Sequence, residues 1–157
     1  MTANAKNRKT IRTAIATGLS TVLVGTNKPC AEVVNYQKKT IDKTPLVEVM
    51  SSSSMRGVKG MGTSKYSNHF QYEINVLIRD TDDSGLNEEE REDALDDIEK
   101  AIADWVGDNR STANWDRLGY VGERSQEDVP EPTQIIKVIY DKPYLLEVIK
   151  LEAFVND

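Results

Sequence analysis

Several stretches of the chain carry a clear hydrophobic period. Across residues 6–24, Ile11, Ile15, Leu19 and Leu23 recur every four positions, backed by Ala14, Gly18 and Val22. This spacing predicts an amphipathic helix. Across residues 70–79, Phe70, Tyr72, Ile74, Val76 and Ile78 alternate with Gln71, Glu73, Asn75, Leu77 and Arg79. A period of two predicts an antiparallel strand with one buried and one wet face. Residues 87–106 return to a helical period, with Ala94, Leu95, Ile98, Ala101, Ile102 and Trp105 on one stripe. Residues 133–140 and 144–155, joined by Asp141, Lys142 and Pro143, are rich in Ile, Val and Tyr and predict a terminal hairpin. The second arm also fits a short helix through Leu145, Val148 and Ile149, but its β-branched residues favour a strand.

Weaker signals lie between these elements. After Asn27, Lys28 and Pro29, residues 31–39 contain Val33, Val34 and Tyr36 and predict a strand; residues 46–50 predict another after Pro45. Residues 51–64, SSSSMRGVKGMGTS, hold too little apolar surface to offset ~1–2 kcal/mol of backbone entropy per residue. They are expected to be a mobile connection, the tip of a long hairpin formed by the flanking strands. Residues 107–132 are expected to be an irregular link in which Trp115, Leu118, Tyr120 and Val121 cover the sheet or a neighbour. The sum is one α+β domain over residues 1–157, a mostly antiparallel sheet packed with two main helices and a projecting hairpin loop.

Composition narrows the function. With 157 residues, 38% apolar, the chain supports one core, and no apolar run approaches the ~18 residues of a membrane span. A single Cys and a single His exclude a disulfide framework, a multi-cysteine cluster and any multi-histidine metal site. The net charge of −6 divides unevenly: residues 1–79 carry 12 Lys and Arg against 4 Asp and Glu, residues 80–157 carry 8 against 22. Either the fold neutralises itself internally or it has oppositely charged faces, as a head-to-tail ring requires. The basic start followed by apolar residues invites a signal-peptide reading. Arg12 and four hydroxyl residues interrupt it and no clean cleavage site follows, so a folded helix is expected.

Each candidate for chemistry has a plainer alternative. Asp80-Thr-Asp-Asp-Ser-Gly85 opens like a calcium loop, but the twelfth position is Arg91 rather than Glu, so an Asx-rich turn leading into the helix is expected. Cys30 and His69 would have to meet in space to act as a nucleophile pair; an inert, half-buried thiol and an edge histidine are the ordinary outcome. The carboxylates of the second helix, Glu88 to Asp104, lie on a solvated face rather than in an apolar cleft, as general acid–base work needs. The basic cluster Lys6, Arg8, Lys9 and Arg12 has no interleaved aromatics, which favours a protein partner over specific nucleic acid. No catalytic residue, metal ligand or cofactor is expected.

The order of elements, IRTAIATGLSTVL, two strands with a pliable tip, FQYEINVLIR, EREDALDDIEKAIADWV, a tryptophan-containing link and IIKVIYDKPYLLEVIKLEAF, resembles the tail terminator (tail completion) proteins of long-tailed bacteriophages over nearly the whole chain. The resemblance is one of pattern and order, and it transfers no functional residue individually. It implies a virion protein at the tail-neck junction, made in the host cytoplasm, that forms a hexameric ring on the last ring of the tail tube. There it would end tube polymerisation and present a joint to a head-tail connector, with the genome free to pass through. It implies no catalysis. Met55, Arg56, Lys59 and Met61 in the tip, with Lys9 and Arg12, are the candidate interface residues. Rival readings are another neck component, such as a head-closure protein, or a non-viral regulatory domain that engages a basic partner through the acidic helix.

Overall fold

The computed structural model describes residues 6–60, 65–80, 85–122, 133–139 and 142–156. In chain order the elements are α1 (Arg8–Leu23), β1 (Glu32–Val34), β2 (Leu46–Val58), β3 (Tyr66–Arg79), α2 (Glu88–Asp108), β4 (Arg117–Tyr120), β5 (Thr133–Ile139) and β6 (Lys142–Asn156). They form an α+β domain around one mixed sheet of order β1-β2-β3-β6-β4, with β5 paired to β6. Only β1 against β2 is parallel; the remaining pairs are antiparallel.

Both helices start where side chains can satisfy their free amides. Asn7 Oδ1 accepts from the Lys9 amide at 2.8 Å, and Asn87 Oδ1 accepts from the Glu90 amide at 2.8 Å. Glu88, Glu89 and Glu90 then place negative charge in the first turn of α2, where the helix dipole favours it. After α1 the chain turns through Gly25 at φ 140°, a conformation open to glycine at little steric cost.

The helices lie on one face of the sheet. Ile11, Ile15, Leu19 and Leu23 of α1 and Leu95, Ile98, Ile102 and Val106 of α2 share a core with Phe70, Tyr72, Ile74, Val76 and Ile78 of β3 and with Ile149, Leu151 and Val155 of β6. Between the helices, Gly18 of α1 faces the indole of Trp105. Trp105 packs edge-on against Trp115, at 6.1 Å and 69°, and Trp115 Nε1 donates to the Asn109 carbonyl at 2.7 Å.

Several expectations change. Residues 51–58 are strand rather than mobile connection: β2 runs on through the serines to Val58, paired with β3 from Gln71 to Tyr66 across an irregularity at Ser51/Ser53. Composition misleads there because β3, held on its other side by β6, offers a ready ladder for the backbone. Ser53 Oγ also donates to Gln71 Oε1 at 3.2 Å. The strand expected over 31–39 shrinks to β1, limited by its parallel pairing with Leu46, Val47 and Glu48. The link over 107–132 is not irregular throughout its described part, 107–122, since β4 pairs with the end of β6 and buries Leu118, with Trp115 buried just before it; residues 123–132 lie outside the described residues. Finally, the far face of β3 is not entirely wet: Leu77 joins Ile41, Leu46, Tyr144 and Leu146 in a smaller cluster on that side.

Candidate interaction surface

The two ends of the long strands differ in character. At one end, the β2–β3 hairpin and the start of α1 are tied together. Arg56 Nη1 donates to Asn68 Oδ1 at 2.8 Å and Nη2 to the Lys6 carbonyl at 2.7 Å, while the guanidinium sits 5.1 Å from the centre of the Phe70 ring. Tyr72 donates its hydroxyl to the Arg8 carbonyl at 2.8 Å, and Arg12 Nη1 donates to Ser51 Oγ at 3.1 Å. Lys9 and Lys59 are exposed, and the Lys59 amide closes the hairpin onto the Lys65 carbonyl at 3.0 Å. Lys9, Arg12, Arg56 and Lys59, drawn from two separate segments, thus come together at one basic end. Two apolar side chains stand uncovered beside them, Met55 at 68% and Val58 at 62% exposure. Met61 lies outside the described residues.

Pairing sets the directions of these side chains. Met55 opposes His69 and shares its face, whereas Arg56 and Val58, opposite Asn68 and Tyr66, point to the helix side. Arg12 and Arg56 are anchored residues that shape the surface, while Met55, Val58, Lys9 and Lys59 are its open contacts.

At the opposite end the helix side is acidic, while Arg79 and Lys142 lie on the other face. On the helix side of β6, Leu145, Glu147, Ile149, Leu151, Ala153 and Val155 succeed one another, and Glu147 is the one charged residue in that series. It is only 9% exposed and has no hydrogen-bond or ion-pair partner among the described residues. Burial first, then the negative charges of Glu99, Asp96 and Glu92 on α2, push its carboxyl up to about 7. Next to it, Ile136 and Val138 of β5 pair with Leu145 and Pro143 and remain 64% and 66% exposed. The helices leave this part of the sheet uncovered.

Lys38–Glu32, Arg91–Asp80 and Lys100–Asp104 each join residues of the same half of the sequence, and His69–Glu152 at 3.0 Å crosses between halves. The Asp80 turn is held from within: the Arg91 guanidinium bonds to the Asp80 carboxylate, and its Nε donates to the Leu86 carbonyl at 3.2 Å. The residue that replaces the last calcium ligand therefore engages the first; residues 81–84 lie outside the described residues. Cys30 is buried with its sulfur 3.1 Å from the Glu32 and Pro45 carbonyls, and burial pushes its thiol up to about 11, far from a nucleophilic thiolate at neutral pH. His69 stacks on Phe154 at 4.4 Å instead of meeting Cys30. An open groove of about 460 Å³ between α1 and β1 is lined by Thr13, Thr17, Asn35, Tyr36 and neighbours, with no acid–base pair among them.

Val58, Ile136, Val138 and Glu147 are absent from the sequence-derived interface set. Glu147 was visible as a carboxylate in the apolar phase of an alternating strand. Ile136 and Val138 were not distinguishable from core, because only the position of α2 leaves them bare. No protein-family model matches the chain, and no curated protein matches it significantly.

Proposed function

We propose that the protein is a structural subunit that closes into a ring, in the manner of the tail terminators it resembles, capping a phage tail tube and forming the joint to the head. The observation that carries this reading is the polarity of the molecule. On the helix side, a basic hairpin tip with bare Val58 and an acidic patch around Glu147 with bare Ile136 and Val138 lie towards opposite ends of the sheet. A surface of this kind cannot satisfy itself within one chain; complementary ends can meet twice across a two-fold axis or once per contact in a head-to-tail ring, and the resemblance to tail terminators favours the ring. Head-to-tail association matches the ends, and closes when the rotation between copies allows it. The preference for a terminator over another neck component comes from the sequence resemblance.

The test is a tube-assembly reaction. Tail-tube protein from the same phage, polymerised with increasing amounts of this chain, should give shorter tubes of uniform end structure, with the chain located at one end. Tubes that lengthen unchanged at saturating chain would remove the terminator assignment.

A further inference from the structure

The acidic patch on the helix side joins negative charge to bare apolar surface. Glu147, a residue 9% exposed, lies on the sheet face flanked by Glu92, Asp96 and Glu99. The charged groups of α2 that act on it, Glu99, Asp96 and Glu92, are all negative. Ile136 and Val138 add exposed apolar surface on the same face of the sheet. The surface complementary to this patch is a cation accompanied by apolar side chains.

That combination exists elsewhere on the molecule. Val58 points to the helix side of the hairpin and is followed by Lys59, whose ammonium has no partner among the described residues. It cannot reach Glu147 in the same chain. The pairs Val58–Tyr66 and Ile78–Leu145 mark the two ends, separated along β3 by roughly 40 Å at ~3.3 Å per residue. We infer that the Glu147 strip, bounded by Glu92, Asp96, Glu99, Ile136 and Val138, receives the Val58–Lys59 tip of the hairpin of a second copy of this chain. The ammonium of Lys59 meets the acidic strip, and Val58 covers Ile136 and Val138. This contact rests on the ring reading and specifies which surfaces build it.

Disulfide trapping tests the contact. Val58→Cys and Ile136→Cys are made in separate full-length chains; both sites are exposed, and buried Cys30 remains in place. The chains are mixed under mild oxidation, with native mass spectrometry run in parallel. The expected product is a mixed dimer joined between positions 58 and 136, identified by peptide mapping. Lys59→Glu should lower its yield about tenfold or more, and adding Glu99→Lys in the other chain should restore it. Dominant 58–58 or 136–136 products would overturn the inference in favour of a two-fold contact. Rings without 58–136 product, or with position 58 trapped only on added tube protein, would overturn the inference and leave the ring reading standing. Absence of any assembly would overturn both.

Discussion

Gly18→Val is expected to cost the fold more than about 3 kcal/mol, the upper range for an overpacked core. A Cβ at position 18 would fall 2.7 Å from Cε2 and 2.8 Å from Nε1 of Trp105, closer than real side-chain contacts allow. The indole has little room to retreat: it is nearly buried and packs edge-on against Trp115, itself anchored to the Asn109 carbonyl. Gly18→Ala separates two opposing effects. In an isolated helix alanine gains about 1 kcal/mol over glycine, whereas here the clash with Trp105 should turn that gain into a net loss of about 1–3 kcal/mol. Urea unfolding of both variants checks this, and Trp105→Leu combined with Gly18→Ala should recover part of the loss through a measurable coupling energy. An alanine variant more stable than the parent chain would show that the helices do not meet at this point.

Glu147→Gln should stabilise the isolated chain above neutral pH and change its pH profile. The native carboxyl, raised from its ordinary value near 4.5 to about 7, holds its proton more tightly than in the unfolded chain. Between those values the native state binds more protons, so stability is full below about 4.5 and falls as pH rises towards about 7. A carboxyl raised to about 7 contributes at most about 3 kcal/mol, at ~1.36 kcal/mol per tenfold change in proton affinity, and solvent reaching the carboxyl lowers this. Gln lacks this dependence, so at pH 8 the variant should exceed the parent chain by up to that amount, and at pH 4 the two should nearly coincide. The groups acting on Glu147 besides desolvation are Glu99, Asp96 and Glu92, all acidic. Chemical denaturation at a series of pH values reads the difference directly. Parallel profiles for the two chains would mean that Glu147 is solvated in the native state.

Much of this architecture was legible where one periodicity held without interruption. The stripe from Ile11 to Leu23 and the alternation from Phe70 to Ile78 depend on burial alone, and burial writes itself into sequence spacing. Strand formation at Ser51–Val58 was not legible, because it is imposed by a partner strand rather than by the segment's own residues. The same holds for β4, which exists as a strand through its pairing with the end of β6. At the candidate surface, Met55 and Lys59 could be singled out as open tip residues. That Arg56 and Arg12 are anchored, and that Val58 rather than Met55 faces the helix side, depends on the register after Ser53. Charge asymmetry between the halves of the sequence was visible from counting; that α2 brings Glu92, Asp96 and Glu99 over Glu147 required the topology.

The central claim is that identical copies join head to tail until they close. Native mass spectrometry of the full chain, alone and with tail-tube protein, measures this most directly. The account predicts a six-copy species of roughly 106 kDa, six times 17.6 kDa, with no ladder of larger open oligomers. A chain that stays monomeric in both samples, or that stops at a symmetric dimer, would contradict it.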